Sequence, residues 1–112
     1  MSWYEFNGGE SIGQRGSEDG TIVRDEEHAD GARITFERDG RIAPFAITCG
    51  IYGWMLHTRF FDSESEGLQE FENMQTELGK ILAAIPLTSD PEVEAKSAAI
   101  TRSIAKFVER FP

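Results

Sequence analysis

Cysteine is nearly absent. Cys49 is the single one in 112 residues, so no internal disulfide can form and a secreted disulfide scaffold is excluded. A reducing cytoplasm is the expected home. Long hydrophobic runs are missing too. The most apolar stretch, Ile42 to Phe61, is interrupted by Pro44, Gly50, Gly53, His57 and Arg59, and does not make an uninterrupted membrane span. The opening Met1-Ser2-Trp3-Tyr4-Glu5 has neither the basic nor the apolar region of a signal peptide. Positive charge is scarce: 11 Lys and Arg stand against 20 Asp and Glu, a net charge of −9. No basic cluster is present, so neither nucleic acid nor an anionic membrane is expected as a partner. The acidic balance leaves solubility, and attraction to a basic protein.

What remains is ordinary for one globular domain spanning residues 1–112, with 39% apolar and 28% charged residues. Trp3, Tyr4 and Phe6 suit a short strand or a docked apolar arm. Asn7 to Gly20 carries Gly8, Gly9, Gly13, Gly16 and Gly20 and reads as a loop. Thr21 to His28 is a strand candidate. Ala32 to Arg38 alternates cleanly, with Ala32, Ile34 and Phe36 on one face. Asp39-Gly40 predicts a tight hairpin into a strand from Arg41 to Thr48. Pro44, with no backbone donor, requires an edge or a bulge there. Cys49-Gly50 predicts the next turn, and Ile51 to Phe61 the last strand.

Two helices complete the pattern. Ser63-Glu64-Ser65-Glu66 has capping-box spacing. Leu68, Phe71, Met74, Leu78, Ile81, Leu82 and Ile85 form a helical stripe that Pro86 ends. Ser89-Asp90-Pro91-Glu92 opens a second helix with Val93, Ile100, Ile104, Phe107, Val108 and Phe111 on its apolar face. The expected fold is α+β: a four-stranded antiparallel meander over about residues 21–61, then an antiparallel two-helix hairpin (about 63–85 and 90–111) on one face.

Several motifs fail on context. Gly9-Glu10-Ser11-Ile12-Gly13 spells G-x-S-x-G, but a nucleophile elbow needs a strand-to-helix turn over a parallel sheet. The polar run after Ser11 cannot start a helix. Ser11 is therefore expected to be plain loop, indifferent to alanine. Gly8 and Gly13 have phosphate-loop spacing, but Gln14 and Arg15 replace the lysine and hydroxyl that such a loop requires. Glu26 and His28 share a strand face, yet two ligands do not make a metal site. No cofactor or metal is expected.

Cys49 to Phe61 is the most unusual segment. As a strand it presents Tyr52, Trp54, Leu56, Thr58 and Phe60 to one side, and Met55, His57, Arg59 and Phe61 to the other. One side must take the helices. The second set is the expected open one, and these four residues are the candidate interface or pocket. His57 is a possible acid or base and Arg59 an anion clamp. Cys49 as a nucleophile would need a thiolate-stabilising neighbour. The leading expectation is a small non-enzymatic protein acting through protein contacts, as a homodimer. One alternative is an inhibitor or immunity-type protein that sets Glu64, Glu66, Glu70, Glu72 and Glu77 of the first helix against a basic partner. The other is a small-molecule binding domain or enzyme around His57 and Arg59.

Overall fold

The structure, a computed structural model, describes residues 2–112. It is α+β, with a five-stranded antiparallel sheet followed by two helices. The strands are β1 (Trp3–Glu5), β2 (Thr21–His28), β3 (Ala32–Arg38), β4 (Phe45–Ile51) and β5 (Met55–Phe61). Each pairs with its sequence neighbour, in the order β1-β2-β3-β4-β5. The helices are α1 (Glu64–Ala84) and α2 (Val93–Arg110). None of the described helices is long and apolar enough to cross a membrane.

The sheet differs from the sequence expectation in three places. The aromatic N-terminal segment takes the strand rather than the arm, as β1, which makes the sheet five-stranded instead of four, with Trp3 opposite His28 and the two rings edge-on at 5.0 Å. Asp39-Gly40 does not form a two-residue hairpin. Asp39 has φ +56° but Gly40 is not in the left-handed region that a type I′ turn requires. The chain instead closes a wider loop in which the Asp39 amide donates to the Pro44 carbonyl at 2.7 Å. Proline cannot donate to the ladder, so β4 starts after it, at Phe45 rather than Arg41. Cys49 and Gly50 then stay within β4, and the turn moves to Tyr52-Gly53-Trp54. There Gly53 takes φ +81° and the Trp54 amide bonds the Ile51 carbonyl at 2.9 Å.

The helix ends follow the expected chemistry. Ser63 caps α1, its Oγ accepting from the Glu66 amide at 3.3 Å. Ile85, just before Pro86, is extended at ψ 123° and stops it. At the start of α2, the Asp90 carboxylate accepts from the Glu92 amide at 2.8 Å and pairs with Lys96 at 2.7 Å. These contacts hold the Asp90 carboxyl below its ordinary value, the lysine bond contributing most.

The core lies between one sheet face and the helices. Ala32, Ile34 and Phe36 of β3 sit beside Ile47, Cys49 and Ile51 of β4, against Phe71, Met74, Leu78 and Leu82 of α1 and Ile100, Phe107 and Phe111. Gly67 lets α1 approach closely: a Cβ there would lie 2.7 Å from the Phe36 ring.

Candidate functional site: the open face of the sheet

The register decides which side of β5 meets the helices. Met55, His57 and Arg59 lie opposite Ile51, Cys49 and Ile47, and Phe61 opposite Phe45. All four therefore point toward α1 and α2, not away from them, because side chains at paired positions share a face. The apolar character that suggested an open face reflects the core: Phe61 is buried and Met55 packs against the central cluster. His57 donates from Nε2 to the backbone carbonyl of Phe111, which can only accept. Its ring stands edge-on to Phe107 at 6.5 Å. Arg59 faces Glu70 of α1 at 3.0 Å and lies over the rings of Phe61 and Phe111 at 4.8 and 5.6 Å. The two polar residues thus tie an edge strand to both helices. Glu70 is held below the usual carboxylate range, mainly by the Asn73 amide and then by Arg59. Cys49 lies directly across from His57, but burial pushes its thiol up to about 12. A thiol so buried is neutral and inert at physiological pH.

The remaining candidates are also engaged in structure. Glu26 accepts from Arg24 at 2.6 Å and from Gln75 of α1 at 2.8 Å, and His28 Nδ1 accepts the Asp30 amide at 3.0 Å. In α1, Glu70 and Glu77 are spent on Arg59, Lys80 and Arg110. Glu64, Glu66 and Glu72 are left exposed.

The opposite sheet face is built in two parts. The Gly-rich segment 6–20 folds over β2 and β3, anchored on two buried carboxylates whose anchoring role the sequence does not signal. Asp25, 1% exposed, takes Nε and Nη2 of Arg33 at 2.9 and 2.6 Å and the Ser11 hydroxyl at 2.7 Å. Arg33 also stacks on the Phe6 ring at 3.6 Å. Ser11 is thus neither a nucleophile nor an idle loop residue; it clips the segment to the sheet. Glu37, fully buried, accepts from the amides of Gly20 at 3.1 Å and Glu18 at 3.2 Å. Gly16 permits this approach, since a Cβ there would fall 2.2 Å from the Glu37 carboxyl carbon. Tyr4 and Tyr52 both donate to Glu27, at 3.0 and 2.6 Å. Burial and that bond push the Tyr52 hydroxyl up to about 12. Alternation could have flagged Asp25 and Glu37, which share the strand side opposite the apolar one, but nothing in their spacing tells a buried anchor from a solvated acid.

Beyond the segment, the β5 side of this face is open, while on β4 Ala46 is buried and Thr48 meets Ser17 of the segment. The outward residues are Ala46, Thr48 and Gly50 on β4 and Leu56, Thr58 and Phe60 on β5. Leu56 is 79% and Phe60 40% exposed. None of the six is charged, in a chain where 28% of residues are. The Thr48 hydroxyl lies 3.3 Å from both the Ser17 and the Thr58 hydroxyls.

Between the segment and the Tyr52–Leu56 turn runs a cleft of about 530 Å³. Thr35, Thr48 and Gly50 line it from the sheet, Arg15 and Ser17 from the segment, with Arg33 also on its wall. His57 and Arg59 do not line it. Comparison of the chain with protein-family models, with curated proteins and with solved structures finds no match in any of the three.

Proposed function

We propose that the protein acts through protein contacts rather than chemistry, and that it pairs with a second copy of itself through the open face of β4 and β5. The observation that carries this reading is the uncharged outward strip from Gly50 and Leu56 to Phe60. At a net charge of −9, two copies repel wherever their acidic surfaces meet. A strip without charge is where they can approach without that cost. Exposed apolar patches on soluble proteins mark binding surfaces, and the centres of such surfaces are depleted of charge. A two-fold arrangement needs only one self-complementary patch.

This places the pairing surface on Leu56, Thr58 and Phe60, not on Met55, His57, Arg59 and Phe61. The test is light scattering at micromolar concentration on the wild type and on Phe60→Glu. Phe60 is half exposed, so the variant keeps its fold by circular dichroism and is monomeric, while the wild type is dimeric. Added salt tightens the wild-type dimer by screening the surrounding acids. A wild type that stays monomeric at hundreds of micromolar refutes the reading.

A further inference from the structure

The charged side chains that line the cleft on the open face are opposite in sign to the bulk of the chain. Its lining includes two arginines, Arg15 and Arg33, and no Asp or Glu, although acids outnumber bases by 20 to 11. Arg33 is neutralised by Asp25 through Nε and Nη2, which leaves Nη1 outside that pair. Arg15 forms no ion pair among the described residues, so its guanidinium is free at the cleft wall, while the Glu37 carboxylate lies behind Ser17 at 3.5 Å. Thr48 adds a hydroxyl that can turn to donate to an anion, whereas the Ser17 hydroxyl donates to Glu18 at 3.0 Å. Apolar side chains reach the wall from Ile22 and Leu56, and the Tyr52 ring closes one end. Gly50 keeps the floor open: a Cβ there would come 3.1 Å from the Met55 carbonyl oxygen.

From this geometry we infer that the cleft binds a small organic monocarboxylate with an apolar or aromatic body, its carboxylate on Arg15 and Arg33 and its body against Leu56 and Ile22. The volume of about 530 Å³ lies in the range of small-molecule sites, roughly 300–1,000 Å³. A guanidinium fork matches a carboxylate in plane and spacing. The apolar side chains of Ile22 and Leu56 suit an acid with a hydrocarbon body rather than a phosphate. The cleft shares Gly50 and Leu56 with the proposed pairing strip but not Phe60, so the site is tested on the monomeric Phe60→Glu variant as well as on the wild type.

Amide chemical shifts test it, with sodium benzoate as the probe, sodium phosphate as the comparison and sodium chloride holding ionic strength constant. Benzoate gives saturable shifts at Arg33, Thr48, Gly50 and Leu56. Arg15→Ala, a change at an exposed side chain, weakens binding at least about fivefold, as expected for losing one charge-assisted contact. Arg15→Lys falls between, keeping the charge and losing the fork. Phe60→Glu, which lacks the pairing surface, still binds benzoate, so failure of the dimer and failure of the site are read separately. Benzoate shifts no larger than those of chloride, equal affinity in Arg15→Ala, or phosphate binding as tightly as benzoate would each overturn the inference.

Discussion

Replacing Glu37 separates the two things a buried carboxylate contributes, an acceptor and a charge. The side chain is fully buried, its Oε1 takes the Gly20 and Glu18 amides, its Oε2 lies 3.5 Å from the Ser17 hydroxyl, and no cation pairs with it among the described residues. Glu37→Gln keeps Oε1 where both amides need it, and its new amide can donate to Ser17. The bonds lose charge assistance, but the cost of burying an unpaired charge also disappears. The two effects oppose, and the net change is expected within about 1 kcal/mol. Glu37→Ala is different. It strips the acceptor from two amides, each worth roughly 1–3 kcal/mol when left buried and unpaired. Partial rehydration of the segment limits the total to about 2–4 kcal/mol. Urea midpoints at constant slope measure both variants, and amide exchange at Gly20 reports whether the segment has lifted. Equal losses in the two variants would refute the reasoning, because the charge and not the acceptor would then be holding the segment.

Three further outcomes follow from the same contacts. Ser11→Ala removes a hydroxyl donor from the buried Asp25 carboxylate and is expected to cost about 1–3 kcal/mol in urea denaturation, since bonds to charged groups exceed the usual surface range. Gly67→Ala sets a methyl against the Phe36 ring and is expected to lose about 1–3 kcal/mol by overpacking, a value within error of wild type showing that the ring can yield. Cys49 has a folded pKa raised above its unfolded value by burial, so its contribution is full below about 9 and is lost as pH rises toward about 12. Native protein should resist iodoacetamide at pH 8, and Cys49→Ala should flatten the stability decline above pH 9, with fast alkylation of the folded wild type contradicting both.

The helices and most of the strands were legible because their signals are local. Ser63, Pro86 and the stripe from Phe71 to Leu82 act within a turn or two, and the structure keeps them. The turns were harder. Asp39-Gly40 has the composition of a tight hairpin, but Pro44 sits where the returning strand would need a donor, and the wider loop wins. The face of β5 could not be read because Met55, His57, Arg59 and Phe61 look half-polar along the chain. Only the register opposite Ile47, Cys49 and Ile51, and the partners Glu70 and Phe111, make that set the inner one. Leu56 and Phe60, apolar and outward, are the reverse case. The cleft was beyond sequence altogether, since Arg15 and Arg33 meet there only after segment 6–20 has folded back over the sheet.

The neighbour-to-neighbour order of the strands also bears on how quickly the molecule can form. Each strand finds its partner across a connection that involves no crossover, so little loop-closure entropy stands against any single pairing. The most distant side-chain hydrogen bonds join the helices to the sheet: Gln75 to Glu26 across 49 positions and His57 to the Phe111 carbonyl across 54. Local pairings form before non-local ones, and here the slow contacts are those that seat the helices on a sheet already paired. Mutations at the helix–sheet seam, such as at Gln75 or His57, therefore weigh on the final docking of the helices, while changes in the strand turns weigh on the first pairings of the meander.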